Sequence, residues 1–130
     1  MRTAGYSAYA HGLLRIVSGL LFLFHGLVKI IGFPPGAQPG QVPPLSLMGV
    51  GGAIELVAGT LIMLGLFTRS AAFLASGQMA VAYWMFHAPQ SLYPVINQGD
   101  AAILYCFIFL FFAAAGPGAW SLEGMRARRR

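Results

Sequence analysis

Apolar residues fill four stretches of the chain, and each stretch is long enough to cross a lipid bilayer as a helix. They lie at about residues 12–32, 46–67, 70–88 and 99–116. A bilayer core about 30 Å thick needs roughly 20 helical residues to span it. The pattern therefore predicts an all-α fold: a four-helix transmembrane bundle forming one domain over residues 1–130, with a basic tail at 117–130.

The connections between these stretches are rich in residues that break helices. The first, FPPGAQPGQVPP at 33–44, contains five prolines and two glycines. The third, APQSLYPVINQG at 88–99, contains two more prolines, and its Asn97 is a candidate helix cap. The second is a tight hairpin around LFTR at 66–69. Proline removes a backbone donor and clashes inside a helix, so these segments are predicted to be loops.

Cationic residues outside the apolar stretches concentrate on one side of the predicted bundle. If the four helices alternate in direction, both termini and the 66–69 hairpin share that side, and they carry Arg2, Arg69, Arg126, Arg128, Arg129 and Arg130. The two proline-rich loops contain no Lys or Arg. The positive-inside rule then predicts cytoplasmic termini in a bacterial-type inner membrane crossed four times. We expect the basic tail to contact solvent or anionic lipid rather than nucleic acid.

Ionisable side chains stand out inside the apolar stretches, because only 8% of the residues are charged and 58% are apolar. A charge at the bilayer centre costs about 2.5–3.5 kcal/mol on insertion scales, so such residues are usually paired and often functional. The set consists of Arg15, His25, Lys29, Glu55 and, at the edge of a stretch, Asp100. Arg15 is close enough to the cytoplasmic edge to extend its guanidinium into the interface, as long cationic side chains do.

Counting helical turns from the outer loops places the other members at similar depths. Lys29 lies about one turn below the outer boundary and His25 about two turns below it, with Glu55 at a depth similar to that of His25. His87, Asn97 and Asp100 lie at the boundary itself. On the third helix Gln78 is expected to point away from this group. The sequence therefore predicts a polar pocket in the outer half of the bundle.

These residues suggest both a chemistry and a simpler structural reading. We expect proton transfer or hydrogen bonding from His25, Lys29, Glu55 and Asp100, and ligand contacts from Phe22, Tyr83, Trp84, His87 and Asn97. Lys29 and Glu55 equally fit an ion pair that fastens two helices, and the aromatic residues fit an interfacial belt.

Cysteine and histidine content limits the remaining chemistry. The single cysteine, Cys106, excludes an intrachain disulfide and a dithiol relay. A haem or metal site between His25 and His87 is an alternative, but their depths differ and Lys29 beside them suits a cation poorly. No metal site is therefore predicted.

Several spaced motifs follow one another along the chain. They are Arg15-x-x-x-Gly19-x-x-Phe22-x-x-His25-Gly26-x-x-Lys29, Glu55-x-x-x-Gly59, LGLFTR at 64–69, NQGD at 97–100 and GPGAWSLEG at 116–124. This ordered set resembles the DoxX family of small four-helix membrane proteins. Asp100 stands where relatives commonly have Glu, and Glu123 where Asp is expected. The resemblance implies a membrane subunit of a quinone-linked oxidoreductase, notably of the thiosulfate:quinone type.

The leading functional interpretation is therefore a membrane subunit whose pocket interacts with quinone or with a redox partner. The chain shows no flavin, nucleotide or iron–sulfur motif, so electrons would come from a soluble or membrane-bound oxidoreductase subunit. No covalently bound cofactor is implied. The alternative is a non-enzymatic membrane module that binds or transports a small solute, a lipid or a partner protein. Glycine-rich helix faces also permit a homo-oligomer.

Overall fold

The computed structural model describes residues 3–130, with side chains from residue 5 onward, and confirms the all-helical prediction. The described chain contains six α-helices and no strand. They are α1 (Thr3–Ile31), α2 (Leu47–Leu64), α3 (Thr68–Ala82), α4 (Pro94–Asn97), α5 (Asp100–Ala115) and α6 (Leu122–Arg128). A π-helical turn, Tyr83–His87, continues α3.

Two of these helices are long and apolar enough to cross a membrane, namely α2 and the Gly5–Ile31 part of α1. The sixteen-residue α5 is also apolar but shorter. Large apolar side chains cover the outside of the molecule, and Val57, Phe73 and Phe107 are each at least 60% exposed. Such a surface is typical of a protein whose solvent is lipid, since soluble monomers rarely expose large apolar patches.

Helix boundaries differ from the predicted ones at three places. The first helix begins at Thr3 rather than near residue 12. Residues 3–11 contain no proline, and within them Tyr9 stacks on Trp120, with ring centroids 5.0 Å apart. Short helices α4 and α6 occupy segments that were predicted to be a loop and a tail. Helix α6 is attached to a distant part of the chain through the bonds of Glu123 to Gly65 and Thr68, whereas Asn97 in α4 is bonded to residues at most 14 positions away.

Helices α1 and α2 pack closely because glycines face each other across their interface. A Cβ atom on Gly19 would lie 2.6 Å from the Met63 amide nitrogen, and one on Gly26 would lie 2.6 Å from that of Leu56. Distances this short leave no room for a side chain, so the two backbones are in direct contact, as small residues allow between membrane helices.

The second close pair is α3 with α5, and the two pairs meet mainly through α2 and α3. Ala71, Ala72 and Ala75 are buried along α3, and the Ser76 hydroxyl donates to the Cys106 carbonyl at 2.7 Å. Contact between α1 and α5 is slight and includes the edge-to-face packing of Phe22 on Phe109, 4.8 Å between centroids. The bundle is therefore open between some of its helices.

At one end of the bundle Arg15 holds the chain together, and its guanidinium is enclosed by protein groups rather than extended into solvent. Its side chain is fully buried and its guanidinium donates five hydrogen bonds, all to main-chain carbonyls. The acceptors are Pro117 at 2.8 Å, Ala119 at 2.9 Å, Trp120 at 3.1 Å, Met63 at 3.3 Å and Ile62 at 3.4 Å. We call Arg15 and these five carbonyls the Arg15 clasp. Arg15 does not reach outward because the segment after α5 folds back over it.

Candidate functional site

A buried carboxylate lies at the centre of the other half of the bundle. Glu55 on α2 is 2% exposed, and the Nζ atom of Lys29 on α1 donates to both of its oxygens, at 2.7 and 2.9 Å. The Lys29 side chain is 15% exposed. Because the ion pair is bidentate and desolvated, it joins α1 to α2 and fixes the carboxylate in one orientation.

Gln78 on α3 completes this polar group, although the sequence pattern predicts that it points elsewhere. Its Nε2 atom donates to the Gly51 carbonyl at 3.0 Å and to Glu55 Oε1 at 3.2 Å. The expectation is wrong because α3 turns Ser76 towards α5, which places Gln78, about 200° further around the helix, towards α2. Its Oε1 atom is buried and has no partner among the described residues.

A cavity of 940 Å³ lies against this group, and α1, α2, α3 and α5 all contribute to its lining. Its walls are largely apolar and include Ile54, Phe73, Met79, Val81 and Met85. Its polar groups are few: the Lys29–Glu55–Gln78 group, together with His25, His87, Gln90, Gln98 and Tyr105. The volume falls within the range of about 300–1,000 Å³ that is typical of small-molecule sites.

The cavity extends to the apolar outer surface between α2 and α3. Three residues that line it, Val50, Phe73 and Val81, are 48%, 69% and 55% exposed. The Lys29–Glu55–Gln78 group is therefore connected to the lipid-like surface of the protein by a cavity with largely apolar walls. Pro39 of the 33–44 loop also lines the cavity.

The predicted site residues separate into two groups. His25, Lys29, Glu55, His87 and Phe22 line the cavity, whereas Tyr83, Trp84, Asn97 and Asp100 do not. Asp100 is exposed at the first residue of α5, and Trp84 is 67% exposed. The side chains of the second group therefore do not line the cavity, and their predicted roles are not explained by direct contact with it.

Asn97 and Tyr83 both contact His87, which lines the cavity. The His87 Nδ1 atom lies 3.0 Å from the Asn97 carbonyl, which only accepts, so Nδ1 carries the proton and Nε2 is the acceptor in the neutral ring. The Asn97 side chain donates to Ser91 O at 2.8 Å and to the Tyr83 hydroxyl at 3.3 Å. It also accepts from the Gly99 amide at 2.8 Å, so Asn97 orders the turn before α5 and is not the cap residue itself.

Tyr105 on α5 is a cavity residue that sequence reasoning missed. Its ring stacks on Phe109, with centroids 5.5 Å apart, and meets the His25 ring edge to face at 6.0 Å. A phenol in the middle of an apolar stretch is a signal similar in kind to a buried charge, because its hydroxyl needs a partner. Within residues 5–130 no three His, Cys, Asp or Glu side chains meet as a metal-binding group.

Comparison with known proteins identifies relatives over most of the chain. The DoxX family model matches residues 11–88, which include α2, α3 and most of α1. A protein of Haemophilus influenzae described as uncharacterized is 40% identical over 124 residues, covering 91% of each chain. An uncharacterized membrane protein of Mycobacterium tuberculosis is 30% identical over 142 residues, covering 89% of this chain and 80% of its own. No solved structure matches the chain.

Proposed function

The chain belongs to the DoxX family of membrane proteins, and from that premise we propose that it is the membrane subunit of a quinone-linked oxidoreductase. The observation that carries the proposal is the 940 Å³ cavity, which has apolar walls, reaches the surface between α2 and α3, and meets the buried Lys29–Glu55–Gln78 group. A quinone is lipid-soluble and combines a ring carrying polar carbonyl groups with a long apolar tail, so it matches each of these three properties.

In this proposal the chain crosses a bacterial inner membrane four times, with both termini in the cytoplasm. The spans are α1, α2, α3 with its π-helical turn, and α5. The Arg15 clasp then lies at the cytoplasmic end, together with Arg69 and the arginines of the tail, as the positive-inside rule requires. The sixteen residues of α5 extend about 24 Å at 1.5 Å per residue, so the bilayer or the flanking turns cover the remaining thickness.

The cavity residues have the hydrogen-bonding capacity that a quinone head group needs. A quinone presents carbonyl acceptors, and an ammonium group has three donors, of which Lys29 uses two on Glu55. Its third hydrogen and the Tyr105 hydroxyl are donors for the ring carbonyls. Phe22 and the Tyr105 ring form apolar walls.

Proton transfer is assigned to the acceptors that line the cavity. Glu55 is a carboxylate held by Lys29 and Gln78, and the Nε2 atom of His87 is left free to accept because Nδ1 is bound to Asn97 O. A quinone that receives two electrons from the partner subunit also takes up two protons to become the quinol, and these two groups are placed to pass protons from water to its ring oxygens. Electron transfer is assigned to a partner subunit.

Lipid analysis of the purified protein tests the proposal. The protein is isolated gently in a mild detergent, and quinone in the extract is measured relative to total phospholipid. We expect enrichment over the membrane average for the wild type and its loss in Glu55→Gln. Asp100→Asn changes a carboxylate outside the cavity and is expected to retain quinone. Quinone at the membrane average in the wild type would contradict the proposal and favour the non-enzymatic alternative.

A further inference from the structure

A second groove, of 370 Å³, lies at the end of the molecule that carries the Arg15 clasp. One wall is the stacked pair of Tyr9 and Trp120. Gly118 and Gly124 contribute main chain, while Met125 and Arg128 contribute side chains from α6. The groove therefore combines aromatic, backbone and cationic groups, and the quinone proposal does not use it.

The groove is preformed because α6 is attached to the bundle. The Ser121 hydroxyl accepts from the Gly124 amide at 3.0 Å, capping the helix. The Glu123 amide donates to Gly65 O at 3.0 Å, and its carboxylate accepts from the Thr68 amide at 3.3 Å. These bonds hold α6 against the α2–α3 hairpin, so Arg128 is presented from an ordered helix rather than from a free tail.

The electrostatic character of this surface is positive. Arg126, Arg128, Arg129 and Arg130 are exposed, whereas the Glu123 carboxylate is turned towards the Thr68 amide. Guanidinium groups bind phosphate oxygens in a bidentate fashion, and each cation near an anionic membrane surface contributes about 1 kcal/mol.

The surface around the groove is amphiphilic. Trp120 is 55% exposed and Met125 48% exposed. Leu13 and Val17, one and two turns beyond Tyr9 on α1, are 53% and 50% exposed. An ion with no apolar part would leave these side chains uncovered, whereas acyl chains running along α1 would cover them.

We propose that this groove binds the phosphate head group of an anionic phospholipid, with Arg128 on the phosphate and the acyl chains along Leu13 and Val17. The proposal is independent of the quinone site, which lies in the other half of the bundle. Its function would be to fix the clasp end at the membrane surface, since aromatic and cationic side chains together favour the interface.

The test compares three arginine variants with the wild type by native mass spectrometry and by thermal unfolding in neutral detergent. Phosphatidylglycerol is titrated against phosphatidylcholine, with inorganic phosphate in a parallel arm. We expect the wild type to bind phosphatidylglycerol selectively and to be stabilised by it. Arg128→Gln should weaken binding about fivefold, the equivalent of roughly 1 kcal/mol, and Arg128→Lys should recover part of it. Arg130→Gln removes the same charge outside the groove and should change binding by less than half as much.

Three outcomes would overturn the proposal. Equal weakening by Arg128→Gln and Arg130→Gln would mean that the tail acts only as a diffuse charge. Equal stabilisation by inorganic phosphate would identify a free-anion site. Equal binding of the two phospholipids would remove the role of the head-group charge. Unfolding midpoints of the lipid-free variants, which alter exposed side chains, report whether each variant is folded.

Discussion

Two cations on the same helix, Arg15 and Lys29, differ in how their charge is satisfied. Arg15 and Lys29 are about 21 Å apart along α1, at 1.5 Å per residue. All five N–H donors of Arg15 are bound to main-chain carbonyls. Lys29 has two bonds, both to Glu55, and lies beside the 940 Å³ cavity. A cation with every donor occupied by the protein has no capacity for a ligand, whereas Lys29 retains both a donor and space.

The compensating charges differ as well. Within residues 5–130 Arg15 forms no ion pair, and the groups that bind its guanidinium are carbonyl dipoles. Two of these, Ile62 and Met63, belong to the last turn of α2, where the helix macrodipole is negative. Lys29 instead meets a full negative charge on Glu55. Carbonyl dipoles can stabilise a guanidinium held in one place, whereas the carboxylate of Glu55 can also accept and release a proton.

The largest expected effect comes from changing Arg15 at the closed end. Arg15→Lys should destabilise the protein by more than about 3 kcal/mol, because an ammonium cannot reach five carbonyls and each buried carbonyl left unpaired costs about 1–3 kcal/mol. The measurement is the thermal unfolding midpoint in detergent, with the monodisperse fraction on size exclusion. Arg69→Gln, an exposed arginine at the same end that donates to Ala113 O, should cost less than about 1 kcal/mol. Similar losses for the two variants would contradict the role of the clasp.

The second-largest effect comes from changing the Lys29–Glu55 ion pair, and it separates the stability of the protein from quinone binding. Glu55→Gln leaves the largely desolvated ammonium of Lys29 without its counter-charge, which should cost about 3–5 kcal/mol, whereas the double variant Lys29→Met, Glu55→Gln should recover most of that loss. Quinone enrichment should be absent from both proteins. Unfolding midpoints and extracted quinone are measured on the same preparations. A stable double variant that still carries quinone would show that the ion pair only fastens α1 to α2.

The sequence identified the charged groups but not all of their partners. Turn counting from the loops put Lys29 and Glu55 in neighbouring layers, and the structure joins them, because depth along a helix follows from a fixed rise per residue. The rotation of a helix about its axis follows from no such rule. Gln78 was therefore assigned to the wrong face, since only the packing of Ser76 on α5 defines how α3 is turned.

Arg15 illustrates a second limit. Its position near the end of an apolar stretch is equally consistent with reaching the interface and with burial, and only the return of residues 116–121 decides between them. The glycines and the capping serine of GPGAWSLEG indicate that the chain turns here, but Arg15, which the turn covers, lies about a hundred residues earlier in the sequence. Interactions over such separations cannot be derived from local periodicity.

The smallest effect concerns access to the open end and should leave stability unchanged. Val50 lines the cavity where it reaches the surface, and Val57 lies two turns further along α2 on the same face, 60% exposed and outside the cavity. Val50→Trp should narrow the opening between α2 and α3 and reduce quinone binding about tenfold, the equivalent of roughly 1.4 kcal/mol. Val57→Trp should not, and both should unfold within about 0.5 kcal/mol of the wild type, as exposed substitutions usually do.

Binding is measured by titrating quinone into the quinone-free protein in detergent, with the two tryptophan variants side by side. Comparing Val50→Trp with Val57→Trp shows whether the Lys29 end of α1 differs from the Arg15 end by a ligand route from the lipid, in addition to its unused hydrogen-bond donor. If Val50→Trp binds quinone as tightly as Val57→Trp, the ligand does not pass between α2 and α3. The exposed apolar lining of Val50, Phe73 and Val81 is then ordinary lipid-facing surface, and Lys29 and Glu55 are reached by another path.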